Sequence, residues 1–412
     1  MPQDESTHSS PASRPERRGS AIHGSERHGS TKAGSGDASN THAPSSAPSP
    51  APDLARPSRR TVLTVGALGT AALAATGAAV GPLPSRLGAP QGDPDLAAAI
   101  APYLDGCRTV TAALIEGGAV RWTGFGADQH REFEIGSVSK TFTGALVMAA
   151  VARGEIALET TVADVLGSRA DGSAIADVTV AELVSHTSGL PRLPSAMTTS
   201  SIWRNALRRD PYTGFNADEV VDMALTAEIS GRGTVAYSNL GPSLAAHLLA
   251  EATGSPWEDL LAQRILRPLG MPSTRAPITL DALAQDAPRG RTASGRRTGP
   301  WTFEGFAPAG GIRSNLADMI AYLRSLMDGS NPGAAGLEPI ATREEGSHVA
   351  VSWFLEPLDS GARAVWHNGQ TGGFASFCGW SPDTGRGWVL LSDTARPTDE
   401  RTWMQILDGK VI

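Results

Sequence analysis

Lysine is almost missing from this chain. Of its 412 residues only Lys32, Lys140 and Lys410 are lysine, although Lys and Arg together number 35. Arginine keeps its proton in a protein, whereas lysine can give one up, so a lone lysine in an arginine-writing sequence suggests a position that needs a titratable amine. Cysteine is equally scarce. Cys107 and Cys378 are too few and too far apart for a zinc knuckle or a disulfide scaffold. They either pair in an oxidising compartment or stay as two buried thiols, and burial, the common fate of cysteine, favours the second. The part after Arg60 has just five histidines and no clustered ligands, so no metal and no organic cofactor is implied. A G-x-S-x-G elbow is also missing, which argues against a Ser-His-Asp hydrolase. Through Arg60 there are 8 basic and 6 acidic residues; the remainder carries 27 and 36, a net charge of -9 without a basic run. That balance argues against nucleic acid as a partner.

What is present begins with a leader. Residues 1–57 are dominated by Ser, Pro, Gly, Ala, His and charge, and cannot bury enough apolar surface to offset their ordering entropy. Ser58-Arg59-Arg60-Thr61-Val62-Leu63 then opens an uncharged run to Ser85. Twin arginines before a weakly apolar stretch resemble a twin-arginine export signal, with the export machinery as the implied partner. Gly77-Ala78-Ala79 offers small residues for cleavage. An uncleaved membrane segment is the alternative, because the run exceeds the roughly 20 residues a bilayer requires. Its Ala and Gly content favours export with cleavage. The expected organisation is a disordered leader over 1–57, an export or membrane segment over 58–81, a linker over 82–94 and one folded domain over 95–412.

Within that domain, Thr109–Ile115 and Ala119–Gly124 flank Glu116-Gly117-Gly118 and read as a β-hairpin. Val138–Arg153 has a helical pattern stopped by Gly154. Thr179…Glu182 and Ser255…Glu258 have the spacing of capping boxes. Pro242–Thr253, Leu316–Met327 and Glu400–Leu407 read as helices, while 349–355, 364–367, 374–380 and 388–392 read as strands. Strands come first, helices occupy the middle and strands return. The early strands are too costly alone, so they are expected to join the late ones in one sheet, with a helical lobe beside it and a cleft between.

The sharpest chemical signal is Gly136-Ser137-Val138-Ser139-Lys140 at the junction of a strand and a helix. The three-residue spacing puts Ser137 and Lys140 over one face of the first turn. A serine hydroxyl becomes a nucleophile when a neutral amine takes its proton. A serine cap beside a surface lysine has the same spelling, and the lysine scarcity weighs against it. The second element is Tyr237-Ser238-Asn239. A tyrosine near an ammonium can have a lowered pKa and relay a proton, and Asn239 offers a donor and an acceptor to a substrate amide. The third is His367-Asn368-Gly369-Gln370. Gly369 lets backbone approach closely, Gln370 has a free N–H for an oxyanion, and His367 has a group for a carboxylate or a proton.

These elements, in this order, resemble the penicillin-recognising serine hydrolases: class C β-lactamases, serine D,D-carboxypeptidases and related esterases. Phe133–Thr143, Leu183–Leu190, Arg264–Met271 and Pro308–Ser314 support the resemblance. It implies an α/β (α+β) fold of the β-lactamase/transpeptidase type, with a five-stranded antiparallel sheet flanked by helices and a helical lobe. It implies Ser137 as nucleophile, Lys140 as its partner and Tyr237 as proton shuttle. Asn239, His367, Gly369 and Gln370 would hold the substrate, a small molecule or a peptidoglycan peptide. The N–H groups of Ser137 and Gln370 would form the oxyanion hole. Histidine in the third element is more typical of D,D-peptidases and esterases than of potent β-lactamases, and the short stretch from Thr274 to Phe306 implies an open cleft. A silent penicillin-binding module, or an acyl transferase or peptide cyclase using the same acyl-enzyme, would carry the same residues.

Overall fold

The computed structural model describes residues 85–412, apart from 345 and 397–398 and the side chains of 196 and 198–201. The leader and the twin-arginine segment lie outside the described residues. Among these, no helix is long and apolar enough to cross a membrane.

Strands β1 (Pro90–Gly92), β2 (Val110–Glu116) and β3 (Ala119–Phe125) open the domain. Gly117 and Gly118 both have positive φ, 56° and 83°, the backbone that a two-residue hairpin loop requires. The short strands β4 (Phe133–Glu134), β5 (Arg291–Thr292) and β6 (Arg313–Ser314) lie outside the main sheet. The C-terminal strands are β7 (Ala341–Glu344), β8 (Ser347–Val349), β9 (Phe354–Pro357), β10 (Arg363–Gln370), β11 (Ala375–Ser381), β12 (Arg386–Ser392) and β13 (Thr394–Ala395). The main sheet runs β1-β3-β2-β12-β11-β10-β9-β8-β7, antiparallel throughout. The N-terminal hairpin therefore joins the C-terminal meander through β2 and β12, as expected. Five strands form the centre, and β1 on one edge with β9, β8 and β7 on the other extend the sheet to nine.

Both faces of the sheet are covered, so its central strands alternate between two cores. Ala113, Ile115, Val389 and Leu391 pack on one side; Ala112, Leu114, Trp388 and Leu390 pack on the other. Helices α1 (Pro94–Ile100) and α6 (Glu400–Leu407) cover the second face, where Trp388 stacks on Trp403. The first face carries α2 (Ser139–Val151), and beyond it lies the helical lobe with α3 (Ala217–Leu225) and α4 (Leu240–Thr253); α5 (Leu316–Met327) packs on the same face. Helix α2 is buried nearly all round, as befits a helix between two layers.

Three expectations are corrected. The apolar run 349–355 is two strands, because Ser352 takes φ 60° and Ala350 N–H donates to Trp353 O at 2.9 Å, making a tight turn inside a uniformly apolar sequence. Thr179…Glu182 is a capping box with both bonds formed, whereas the helix Trp257–Leu261 begins one residue too late for Ser255, and its cap position is Pro256 with no side-chain bond. Ser137 lies on a 3-10 turn, Gly136–Val138, that precedes α2 and not on the α-helix itself. Both cysteines are free thiols, with Cys378 buried.

Arg313 is wholly buried and joins the edge of the site to the body of the domain. Its guanidinium meets Glu132 at 2.6 Å and Glu134 at 2.8 Å and donates to Pro288 O at 2.7 Å. Glu134 in turn accepts from Trp301 N–H at 3.0 Å and from the Thr371 hydroxyl at 2.6 Å. Burial pushes the Glu134 carboxyl up to about 6, against the pull of Arg313. Removing Glu134 takes one of two carboxylates from the buried Arg313, which keeps Glu132, and leaves the Trp301 N–H and the Thr371 hydroxyl without their acceptor, so Glu134→Ala is expected to cost about 1–3 kcal/mol in urea-monitored unfolding. An unchanged unfolding midpoint would show that this pair does not anchor the domain.

Candidate active site

The turn carrying Ser137 sits against β10 because two glycines remove what would stand between them. Gly136 has φ 51°, and a Cβ there would lie 2.6 Å from Gln370 N. A Cβ on Gly369 would lie 2.0 Å from Ile135 O and 3.0 Å from Ser137 N. Ser376 Oγ donates to Ile135 O at 2.7 Å and fastens the same turn to β11. The backbone of Ser137 and that of Gln370 are thereby brought side by side at the floor of a cleft.

Lys140 is fully buried beneath Ser137. Its Nζ is 3.2 Å from Ser137 Oγ, 2.8 Å from Asn239 Oδ1 and 2.7 Å from Ala309 O. Burial first, and the nearby Arg192 charge second, hold this amine well below the usual lysine range. No carboxylate pairs with it among the described residues. Asn239 stands at the N-terminus of α4 but does not cap it. Its carbonyl takes the lysine and its amide donates to Tyr212 Oη at 2.9 Å.

Tyr237 covers this cluster, with Lys140 Nζ 4.9 Å from its ring centroid. Burial raises its phenol to about 12, partly offset by a hydrogen bond with Ser137 and by Arg192. The lowered pKa expected beside an ammonium is thus reversed, because burial of the phenol outweighs the Ser137 hydrogen bond and the Arg192 charge. His186 holds the tyrosine's backbone from both sides. Its carbonyl accepts from Ala236 N–H at 2.8 Å and its Nδ1 from Ser238 N–H at 3.2 Å, with the rings of His186 and Tyr237 4.6 Å apart.

The expectation for His367 needs correction. It is 1 % exposed, with Nδ1 on Asn368 O at 2.6 Å and its ring packed toward Phe354 and Tyr237. Burial, helped by the Lys140 charge, depresses its pKa to about 3, so it is a neutral ring behind the tyrosine and does not face the cleft as a cation for a carboxylate. Gly369 acts through the close approach described above. Gln370 lies on the cleft wall, where its amide donates to Ala395 O at 3.1 Å.

The cleft has a volume of about 730 Å3, and Ser137, Arg192, Tyr212, Asn239, Trp301 and Gln370 are among its walls. The short stretch after Thr274 supplies Thr292 and Trp301. Sequence reasoning missed Arg192 and Tyr212. Arg192 follows the Leu183–Leu190 motif by two residues, and its guanidinium lies 5.4 Å from the Tyr237 ring centroid. Tyr212 is one of only four tyrosines in the chain, which was the available signal.

A serine, a buried unpaired lysine and a tyrosine gathered at a sheet-to-lobe cleft are the equipment of an active-site-serine hydrolase. The chain belongs to the beta-lactamase family, whose model, described as Beta-lactamase, matches residues 96–409; it is a serine hydrolase of that family. It is similar to penicillin-binding protein 4 of Amycolatopsis lactamdurans, at 27% identity over 306 residues that cover 71% of this chain and 70% of that relative. Its fold is shared with a class C beta-lactamase from Rhodobacter sphaeroides (TM-score 0.64, 22% identity, 76% of this chain and 98% of that one). A D-stereospecific amidohydrolase from Streptomyces sp. has the same fold (TM-score 0.63, 21% identity, 75% and 97% covered).

Proposed function

We propose that this protein is an exported hydrolase of amide or lactam bonds, D,D-carboxypeptidase-like or β-lactamase-like, that forms an acyl-enzyme on Ser137. The observation that carries the reading is the buried Lys140 amine, 3.2 Å from Ser137 Oγ with its other two contacts on acceptor oxygens. A neutral amine has two N–H bonds and one lone pair. The two N–H bonds go to Asn239 Oδ1 and Ala309 O, and the lone pair is left for the Ser137 proton. As Ser137 Oγ bonds to the carbonyl carbon, its proton passes to Lys140 Nζ. The oxyanion meets the N–H groups of Ser137 and Gln370. The carbon–nitrogen bond then breaks, Tyr237 gives its proton to the departing nitrogen, and Lys140 returns one to Tyr237. Water reverses the sequence and frees Ser137. Asn239 orients the substrate amide, and Arg192 receives a carboxylate, which both penicillins and D-alanyl peptides carry. The relatives' names, a penicillin-binding protein and a D-stereospecific amidohydrolase, support this substrate class. The twin arginines at 59–60 support export.

Benzylpenicillin is expected to add covalently to the full chain, visible by intact mass. A persistent adduct marks a D,D-peptidase-like enzyme and rapid loss with hydrolysed drug marks a β-lactamase. Only the neutral amine accepts a proton, and its fraction rises with pH through the lowered pKa. Acylation should therefore reach its plateau well below the ordinary lysine value of 10.5 and decline on the acid side. A rate still climbing toward that value, or no adduct at any pH, would refute the lysine-base reading.

A further inference from the structure

Six arginines from four separate stretches line one cavity of about 820 Å3: Arg86, Arg108, Arg131, Arg289, Arg291 and Arg297. Arg289, Arg291 and Arg297 share one nine-residue stretch, and folding brings Arg86, Arg108 and Arg131 to them in a domain that is acidic as a whole. The cavity is not the catalytic cleft. The β5–β13 pair forms a wall between them: Arg291 and Asp393 line the basic cavity, while Thr292 and Ala395, the next residues on β5 and at the end of β13, line the cleft.

Among the described residues, two acidic side chains, Asp286 and Asp393, line the basic cavity against its six arginines. Asp393 is already engaged, accepting from Thr109 N–H at 3.1 Å and standing 3.6 Å from Arg131. Arg291 donates to Gly295 O at 2.9 Å. Among the described residues, no carboxylate lies within ion-pair distance of Arg86, Arg108, Arg289, Arg291 or Arg297. Arg131 Nε is buried without a hydrogen-bond partner. Burial and the charges of Arg108 and Arg297 all disfavour the Arg291 cation, and Asp393 offsets this only in part. Like charges gathered in a concave site repel one another and focus the field on whatever enters. Guanidinium forks match phosphate oxygens two at a time. The volume and the several directions of approach exceed what one orthophosphate can use.

We infer that this cavity is a second binding site, separate from the acylation centre, for a ligand carrying more than one phosphoryl group. Pyrophosphate is the probe, titrated calorimetrically into the full chain at several salt concentrations. The expected result is saturable binding with one site per chain, weakening as salt rises. Arg108 and Arg297 are exposed and stand outside the catalytic cluster. Arg108→Ala/Arg297→Ala should therefore keep the melting temperature and the rate of benzylpenicillin acylation while losing roughly tenfold or more in pyrophosphate affinity. Absence of saturable binding to the wild-type chain, or equal affinity in the double variant, would overturn the site. Neither result depends on whether the cleft acylates.

Discussion

Ser137→Ala is expected to form no adduct with benzylpenicillin and to lose turnover by about a millionfold, the scale on which a serine nucleophile's removal is felt. The same variant should unfold within about 1 kcal/mol of the wild type, because only one hydroxyl leaves, from a residue that is itself partly exposed. Lys140 keeps its bonds to Asn239 and Ala309, and the glycines that seat the turn against β10 are untouched. Intact mass and an equilibrium unfolding curve, measured on one preparation, separate chemistry from folding. An adduct of wild-type yield on the alanine variant would place the nucleophile elsewhere.

Lys140→Arg should also be severely damaging, by roughly 10^3 to 10^4 in acylation rate, although it preserves formal charge. Two reasons act together. Arginine has no lone pair to offer at accessible pH, so Ser137 loses its base. The site is also wholly enclosed and shaped for an amine, so a guanidinium brings a larger group and an unpaired buried charge. Destabilisation could by itself silence the arginine variant, which is why Lys140→Met belongs beside it. Methionine is unbranched, of similar length and neutral, and fits without burying a charge. A folded methionine variant with the same loss of acylation identifies the missing lone pair as the cause. Wild-type rates in either variant would show that the lysine is not the base.

Much of this site was legible in the one-dimensional string wherever partners lie within a turn of each other. Ser137 and Lys140 share a face because three residues separate them in a helical path. The hairpin at Gly117-Gly118 and the capping box at Thr179…Glu182 are likewise local, and both formed as spelled. The inner turn at Ser352 was hidden for the complementary reason, since every neighbour is apolar and the composition there reads as strand.

What remained out of reach were properties set by distant chain. Asn239 and Ala309, which hold the lysine amine, are 99 and 169 residues from it. The serine, the lysine three residues on and the glycines around them were determined by sequence, because short-range geometry and residue chemistry suffice to define what they can do. Tertiary structure alone decided that the lysine is desolvated, that Tyr237 keeps its proton, that His367 is sealed behind that ring, that Arg192 enters the cleft and that six arginines meet in one cavity. Burial and electric field depend on everything packed around a group, and that is assembled from the whole chain.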